Sequence, residues 1–384
     1  MINIPVEPPI TEYLHAKAAR LGVPLSGTFE LTPCCNMACK MCYVRMTQKE
    51  QESVAPLKTA KEWLAMGEEA KKAGMLYLLL TGGEPFLRKD FKEIFQGLHK
   101  LGLIMTINSN GTLIDEKTVA WLKETPPVRI NITLYGASDE TYERLCGNPK
   151  GFTQVVKAIH LLKEAGISIR INCSLTPHNA ADMEKIFAFA KEEQLLVQAT
   201  SYMFPPMRRD ENMVGENERF TPEETAYYSA KILLLQNGEE WFFNKVEKGE
   251  LPPLPTTDEE CPEVDLQGEA IRCRAGKCSF WISWRGSFMA CGIMPEKDAV
   301  NVFDVGFQQA WEETKRRAAL IRLPGKCKIC SARDNCKACA AMVYTETGNF
   351  HTVPEYRCKM STAYPEICKK MAEEIKKKRD GEKK

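Results

Sequence analysis

Three cysteines near the start of the chain, Cys35, Cys39 and Cys42, have the residue type and the spacing best suited to chemistry. These front cysteines form a CxxxCxxC run directly after an apolar, strand-like stretch. A closed [4Fe–4S] or zinc site takes four protein ligands, so a cluster held by three thiolates keeps one iron open. A zinc knuckle is the competing interpretation, and it needs a nearby fourth Cys or His. Cys34 is adjacent, but neighbouring residues rarely chelate one metal together, so we interpret it as a bystander.

A second motif, TGGEP at residues 81–85, follows the apolar run 75–80. In this order and separation the two motifs resemble the radical S-adenosylmethionine (SAM) superfamily, whose GGEP motif binds the amino group of SAM. The resemblance implies a [4Fe–4S] cluster on the front cysteines, with SAM bound at its open iron and cleaved by one electron to methionine and a 5′-deoxyadenosyl radical. Gly82 and Gly83 would let backbone approach the ligand closely, and Glu84 would accept a hydrogen bond from the SAM ammonium.

The resemblance also implies SAM contacts from residues that follow or lie in later strand-like runs. Ser109 and Asn110 follow the third run, at a position that commonly touches SAM in the superfamily. In the fourth and fifth runs polar residues alternate with apolar ones and therefore share one face, although each could instead satisfy an internal hydrogen bond. The sequence identifies no catalytic base. The further predicted contacts are Asn131, Thr133, Asn172 and Ser174 on the strands, and Met41 and Tyr43 beside the third front cysteine.

A second cysteine-rich zone extends from Cys261 to Cys368 and holds ten of the sixteen cysteines. Its spacing resembles the SPASM extension of radical SAM enzymes, with one departure, because two residues rather than three separate Cys336 and Cys339. The resemblance implies two more [4Fe–4S] clusters, three in all, and zinc is the competing metal because CxxC pairs serve either. One cluster would take Cys273, Cys278, Cys291 and Cys339, and the other Cys327, Cys330, Cys336 and Cys358.

Composition excludes several classes of protein. The chain has 384 residues, of which 44% are hydrophobic, and a net charge of +1, which gives no electrostatic argument for binding nucleic acid or a membrane. The N-terminus lacks the features of a signal peptide, and no apolar run approaches the ~18 residues of a transmembrane helix. Without an export signal, so many cysteines favour metal binding over disulfides and predict a cytoplasmic protein. We interpret Cys146, Cys173, Cys261 and Cys368 as core or spare thiols.

Strand-like runs alternate with helical patterns from residue 26 onward. The runs lie near 28–32, 75–80, 103–108, 128–134, 167–175 and 195–203. Such alternation predicts an α/β fold, a partial (β/α)6 TIM-like barrel whose ligands sit at the carboxyl ends of the strands. A Pro-rich acidic stretch at 251–260 predicts a domain boundary. We predict an N-terminal extension at 1–25, the radical SAM core at 26–250, a small Cys-rich SPASM domain at 251–370 and a charged tail at 371–384.

The leading functional hypothesis is a radical SAM/SPASM oxidoreductase-type enzyme that modifies a peptide or protein by a thioether or carbon–carbon crosslink, epimerisation or oxidation. The alternatives are a radical SAM dehydrogenase acting on a small molecule, and a non-catalytic iron–sulfur or zinc scaffold. Its expected partners are the substrate and a low-potential electron donor such as flavodoxin or ferredoxin.

Arg208 and Arg209 are candidates to hold an acidic peptide leader. Gly292 replaces the Asp that sulfatase-maturating relatives carry after the cysteine matching Cys291, so no formylglycine formation is expected.

Overall fold

The computed structural model of the protein describes residues 9–251, 271–332 and 336–381. Within these ranges six strands alternate with helices in the first 200 residues, and three short strands follow the gap at 252–270. The strands are β1 (Ser26–Glu30), β2 (Tyr77–Thr81), β3 (Ile104–Ser109), β4 (Arg129–Thr133), β5 (Ile169–Ser174), β6 (Leu196–Thr200), β7 (Ser279–Ile282), β8 (Ser287–Met289) and β9 (Val300–Asn301).

The helices connect these strands and form the carboxyl-terminal part of the fold, and Pro85–Leu87 and Ala180–Asp182 are single 3₁₀ turns. The α-helices are α1 (Pro9–Leu21), α2 (Gln48–Val54), α3 (Ala60–Lys72), α4 (Phe91–Lys100), α5 (Glu116–Glu124), α6 (Asp139–Cys146), α7 (Gly151–Glu164), α8 (Met183–Glu192), α9 (Pro222–Asn237), α10 (Glu239–Glu247), α11 (Val302–Val305), α12 (Phe307–Leu320), α13 (Gly325–Lys328), α14 (Ala340–Thr347) and α15 (Glu355–Gly381).

Strands β1 to β6 form a parallel sheet in the order of the sequence, with a helix between most neighbours. The predicted partial (β/α)6 barrel is therefore confirmed. One face of this sheet is buried, and Leu78, Leu80, Ile130 and Ile132, which share that face, are fully enclosed. All six strands point the same way, so the loops after them meet at one edge of the sheet.

The sheet does not end at β1, because β7 pairs with it in parallel and β8 and β9 extend the sheet in antiparallel fashion to nine strands. A hairpin turn at Arg285–Gly286 joins β7 to β8, and Gly286 adopts a left-handed φ of 97°. A Cβ at Gly27 of β1 would lie 2.5 Å from the Phe280 ring of β7, so this strand pair depends on glycine.

Local signals explain where several helices begin. Thr59 caps α3 and Thr221 caps α9, and in each case the glutamate three residues later completes a reciprocal capping box. The predicted boundary stretch lies almost entirely outside the described residues, so the domain limits stay predictions. Helix α15 runs without a break through the predicted limit at 370.

No helix in the described ranges is long and apolar enough to span a lipid bilayer.

Candidate active site at the carboxyl ends of the parallel strands

The front cysteine loop follows β1, and the TGGEP motif follows the neighbouring strand β2, so the sheet brings the two motifs together. Their backbones are hydrogen-bonded, with Gly83 N donating to Thr32 O at 2.6 Å and Glu84 N donating to Cys34 O at 2.9 Å. A Cβ at Gly83 would lie 2.3 Å from Cys34 O. Glycine is therefore required at position 83 because the two loops pack against each other. We expected this glycine to allow a close approach of the backbone to the ligand, whereas the group it approaches is the backbone of the front cysteine loop.

The structure brings the thiols of the three front cysteines together in a half-buried group. Burial raises the pKa of Cys35 to about 12, and the thiols of Cys39 and Cys42 add to the effect by their proximity. Burial also raises the pKa of Cys42, and the nearby backbone N–H groups of Val44 and Arg45 oppose that rise. The three thiols are neighbours but are not placed to hold a single metal ion, since no three His, Cys, Asp or Glu side chains in the described ranges converge in that way.

The sulfur of Cys35 accepts two N–H donors. Met37 N lies 3.4 Å from it, and Asn110 Nδ2 lies 3.6 Å from it. The same Asn110 amide donates to Asn36 Oδ1 at 2.9 Å, which fixes its orientation. Sulfur ligands of iron–sulfur clusters accept hydrogen bonds of this kind, so the donor set fits a cluster held by the front cysteines.

Glu84 lies at the centre of the site and is completely buried. Its carboxylate accepts hydrogen bonds from Phe86 N at 3.0 Å, Ser109 Oγ at 2.9 Å and Asn110 N at 2.7 Å. Burial raises its pKa to about 7, although the three hydrogen bonds oppose that shift. A buried carboxylate with this raised pKa is suited to an ammonium group, because a nearby positive charge favours the ionised form.

The predicted strand residues share the inward face of the sheet but differ in their partners. Asn131 is buried and donates to Asn108 Oδ1 at 2.7 Å, so it makes an internal hydrogen bond. Ser174 is a neighbour of the Tyr135 phenol. Asn172 Oδ1 is buried and has no hydrogen-bond partner among the described residues. An orphaned acceptor of this kind fits a site that a ligand completes. Thr133 is half-buried on the same face.

Met41 and Tyr43 lie in different surroundings, although both flank Cys42. Met41 is buried in the main apolar core. The Tyr43 ring lies 5.7 Å from the Arg208 guanidinium, and Cys291 of the second cysteine zone is also a neighbour. Tyr43 therefore lies on the side of the front loop that faces the carboxyl-terminal part of the fold.

In the second cysteine zone, one predicted ligand set is brought together. Cys327, Cys330 and Cys336 are all neighbours of Cys358, whose pKa is raised by burial and by these three thiols. Of the other predicted set, three members border one apolar cluster around Ile271 and Ala340. Those members are Cys273, Cys291 and Cys339, whereas Cys278 is fully buried in a neighbouring cluster with Ala18 and Leu25.

The hypothesis that Arg208 holds an acidic leader is wrong. Its guanidinium is 3% exposed and makes a bidentate pair with Glu30, at 2.8 and 2.9 Å, and a further ion pair with Glu296 at 2.7 Å. Arg285 binds the second oxygen of Glu296 at 2.7 Å. Arg208 therefore links β1 to the β7–β8 hairpin, and only Arg209 of the predicted pair is exposed.

The position after Cys291 has no room for a side chain. A Cβ at Gly292 would lie 2.4 Å from the Trp281 ring, and Gly292 O accepts a hydrogen bond from Arg208 Nη1 at 2.8 Å. Trp281 Nε1 in turn donates to Glu30 at 3.1 Å. An acidic side chain at position 292 would therefore clash with the Trp281 ring of the hairpin.

Sequence reasoning missed two residues that complete the front site. Glu30 is the last residue of β1 and is buried beneath Arg208, and Cys146 ends α6 beside Cys39. A charged residue at the end of an otherwise apolar strand was the one available signal for Glu30. Cys146 carries no local signal, because its neighbour lies more than a hundred residues away in the sequence.

Comparisons with known proteins agree with this geometry. Residues 29–190 match the family described as Radical SAM superfamily. A relative named AdoMet-dependent heme synthase, from Methanosarcina barkeri (strain Fusaro / DSM 804), is 26% identical over 352 residues, which cover 86% of this chain and 95% of the relative.

Two solved structures share the fold across nearly the whole chain. The first is anSMEcpe with bound AdoMet, with a TM-score of 0.66, 17% identity and coverage of 92% of this chain and 95% of that one. The second is Streptococcus suis SuiB bound to precursor peptide SuiA, with a TM-score of 0.63, 18% identity and coverage of 91% and 82%. The matched domain contains both the front cysteines and the TGGEP motif. Residues 29–190 of the chain therefore form a radical SAM domain.

Proposed function

We propose that this enzyme cleaves SAM at the front site and uses the resulting radical to modify a peptide. The observation that carries the first half is the buried unit formed by the front thiols and Glu84, linked through Asn110, whose amide donates to the Cys35 sulfur and whose backbone N–H donates to Glu84. When bound, a [4Fe–4S] cluster would supply the electron that cleaves SAM. In this proposal Cys35, Cys39 and Cys42 hold the cluster and Glu84 orients the ammonium of SAM.

The inward-facing residues of β4 and β5 would surround the rest of SAM. Asn172 has an acceptor without a partner among the described residues, and Ser109 and Asn110 already fix the Glu84 carboxylate. Met41 and Tyr43 would bound the adenine. The enclosed surroundings of Glu84 would keep water from the reacting atoms, which is what the protein contributes when the cofactor carries the chemistry.

The peptide substrate is supported by the shared fold with SuiB, which was solved with its precursor peptide and whose match covers 91% of this chain. We assign the carboxyl-terminal zone to a SPASM domain at 251–370 with two further [4Fe–4S] clusters, on Cys273, Cys278, Cys291 and Cys339 and on Cys327, Cys330, Cys336 and Cys358. A low-potential flavodoxin or ferredoxin would supply electrons in the cytoplasm.

A second candidate is a small-molecule substrate, specifically a porphyrin precursor of heme. The heme synthase relative supports it, because the alignment covers 95% of that protein. The two candidates place different demands on the barrel mouth. A peptide substrate requires room for a flexible chain, whereas a porphyrin requires room for a rigid macrocycle.

One experiment separates them. Anaerobically reconstituted enzyme with SAM and a reductant is incubated either with a peptide encoded beside its gene or with an iron porphyrin carrying propionate side chains. We expect a mass change in the peptide and a matching rise in 5′-deoxyadenosine. A porphyrin whose mass changes while every tested peptide stays intact would replace the peptide proposal with the small-molecule one.

A further inference from the structure

A polar cleft lies on the hairpin side of the front cysteine loop, and the proposed SAM chemistry does not use it. We call it the hairpin cleft, because residues between 285 and 301 form most of its lining. Its volume is about 560 Å³, which is within the range of small-molecule sites. Arg208 forms part of its wall, and the guanidinium lies 5.7 Å from the centre of the Tyr43 ring, next to Cys42 in the sequence. The cleft therefore adjoins the front site.

Strands β8 and β9 contribute one wall of the hairpin cleft. Ser287 and Asn301 lie directly opposite each other in this antiparallel pair, so both side chains are on the same face of the sheet. The Asn301 amide is already engaged, because Nδ2 donates to Arg285 O at 3.3 Å and Oδ1 accepts from Phe303 N at 3.0 Å. The Ser287 hydroxyl has no hydrogen-bond partner among the described residues, so it is available to a ligand.

Besides Arg208, two cationic side chains line the cleft, and one of them is fixed in place. Arg285 donates to Glu296 Oε2 from Nε at 3.1 Å and from Nη2 at 2.7 Å. Its Nη1 makes no hydrogen bond within the described ranges. Lys297 is exposed and has no hydrogen-bond or ion-pair partner in the part of the chain that the structure describes. Both side chains therefore retain N–H donors for a ligand.

The two acids of the cleft differ in their capacity to accept hydrogen bonds. The oxygens of Glu296 are engaged by Arg208, Arg285 and Ser283. Glu211 is exposed, and its charge is the one that opposes an anion in the cleft. Among the described lining residues, donors without a partner therefore outnumber such acceptors. This imbalance favours an anionic ligand over a cationic one.

The cleft also has an apolar side. Ala55, directly after α2, and the buried Met207 belong to its lining. A short hydrocarbon stem can pack against these two side chains while the group at its end meets the donors. Guanidinium and ammonium groups bind carboxylates through charge-assisted hydrogen bonds. An aliphatic carboxylate therefore matches both parts of the lining.

We propose that the hairpin cleft is a substrate subsite for an aliphatic carboxylate, with Arg285, Lys297 and Ser287 as its donors. The inference rests on the proposed function of the front site, because the bound carboxylate anchors the substrate beside the front loop. An acidic side chain of a peptide and a propionate of a porphyrin carry the same group, so the subsite suits either source. Glu211 weakens the binding of the anion by repulsion.

Binding is measured by anaerobic isothermal titration calorimetry with the reconstituted full-length enzyme and two pairs of probes. The first pair is a short peptide of alternating glycine and glutamate and its glutamine counterpart. The second pair is a porphyrin with propionate side chains and the same porphyrin with those groups converted to amides. The variants are Lys297→Met, Lys297→Glu and Glu211→Gln. Lys92→Met is the matched control, because Lys92 is also an exposed lysine but lies on α4, outside the lining of the cleft.

We expect the wild type to bind the carboxylate probe of at least one pair, and to bind the neutral counterpart about tenfold more weakly because the charge-assisted bonds are lost. Lys297→Met should weaken carboxylate binding about threefold and Lys297→Glu about tenfold, since an exposed ion pair contributes little. Glu211→Gln should strengthen it about threefold, and Lys92→Met should leave it unchanged. The pair of probes that responds identifies the source of the carboxylate.

The inference would be overturned if neither carboxylate probe bound, or if the carboxylate and amide forms bound equally well. Equal affinities in wild type, Lys297→Glu and Glu211→Gln would also overturn it, as would an equally large loss in Lys92→Met. Thermal unfolding checks that each variant has kept its fold. If Lys297→Glu fails to fold, Glu211→Gln decides, because its effect must have the opposite sign. Failure of the proposed function gives a different result, since the wild type would then form no 5′-deoxyadenosine from SAM, whatever the affinities of the variants.

Discussion

The carboxylate of Glu30 and the guanidinium of Arg208 form a bidentate ion pair between residues 178 positions apart in the sequence. Both side chains are almost completely buried, and Arg208 also binds Glu296 of the hairpin region. The pair fixes the strand that precedes the front cysteines against the carboxyl-terminal part of the fold. It is therefore a structural connection between the two cysteine-rich parts of the chain.

We expect Arg208→Met to destabilise the protein strongly, because it leaves the buried Glu30 carboxylate without its cation and removes one of the two arginines that bind Glu296. Loss of one partner of a buried pair costs about 3–5 kcal/mol. The measurement is chemical denaturation of the full-length chain. Arg209→Ala is the matched control, since its side chain is exposed, and it should unfold at the wild-type midpoint. Equal stability of the two variants would show that the Arg208 pairs contribute little.

Replacing Cys35, Cys39 and Cys42 together with alanine should abolish cleavage of SAM to 5′-deoxyadenosine, since no cluster with an open iron can form. Chromatography of reductively incubated enzyme measures the product. Cys34→Ala is the control, because the Cys34 thiol faces Gln51 at 4.0 Å, and it should retain cleavage. Product formation by the triple variant would contradict the assigned chemistry.

Iron analysis tests the proposal of three clusters. Carefully reconstituted enzyme should bind about twelve irons per chain, four per cluster, and the triple front variant about eight. A wild-type value near eight would show that the short spacing between Cys336 and Cys339 has cost one cluster. Zinc in place of iron would assign the carboxyl-terminal cysteines a structural role.

Glu84 should make the stability of the cluster-free chain depend on pH. Its pKa is raised from 4.5 to about 7 in the folded state, so the folded chain retains a proton that the unfolded chain has lost. The contribution of Glu84 to stability is therefore complete below about pH 4.5. It then falls by about 1.4 kcal/mol per pH unit until about pH 7.

Chemical denaturation of wild type and Glu84→Gln at pH 5 and pH 8 measures this contribution. The wild type should lose more stability than the variant between the two values, because glutamine does not titrate. Parallel loss in both proteins would mean that other groups cause the pH dependence.

We expect no conversion of Cys or Ser to formylglycine when the reconstituted enzyme is incubated with a sulfatase peptide. Gly292 cannot move a proton, and the Trp281 ring occupies the space that an acidic side chain would need. Mass spectrometry of the peptide decides the matter, and a formylglycine product would require a base from another part of the barrel.

The parts of the fold that sequence reasoning predicts well are those with strong local patterns. The run 103–108 corresponds to β3 at Ile104–Ser109, and the start of α9 carries a local signal, the capping box of Thr221 and Glu224. The long-range partners were not predictable. Pairing of β7 with β1 depends on shape, with Gly27 beneath the Phe280 ring, and neither residue indicates the other in sequence.

In the candidate site, too, residues in local motifs were predictable from sequence and long-range partners were not. The resemblance of two motifs to the radical SAM superfamily predicted that the front cysteines and Glu84 share a site, and the motifs do follow adjacent strands of a parallel sheet. Charge in the sequence suggested that Arg208 binds substrate, but charge gives no information about burial, and its carboxylate partners come from distant segments. The contact of Cys146 with Cys39 was missed for the same reason.

The parallel pairing of β1 with β7 has a consequence for biosynthesis. During translation β1 and the front cysteines leave the ribosome early, whereas Trp281, which donates a hydrogen bond to Glu30, is 251 residues further along the chain. The nascent chain therefore carries a strand with one unsatisfied edge until its carboxyl-terminal third has emerged. Contacts of such high sequence separation form late. Delivery of iron and sulfide to the front cysteines should accordingly follow the emergence of β7.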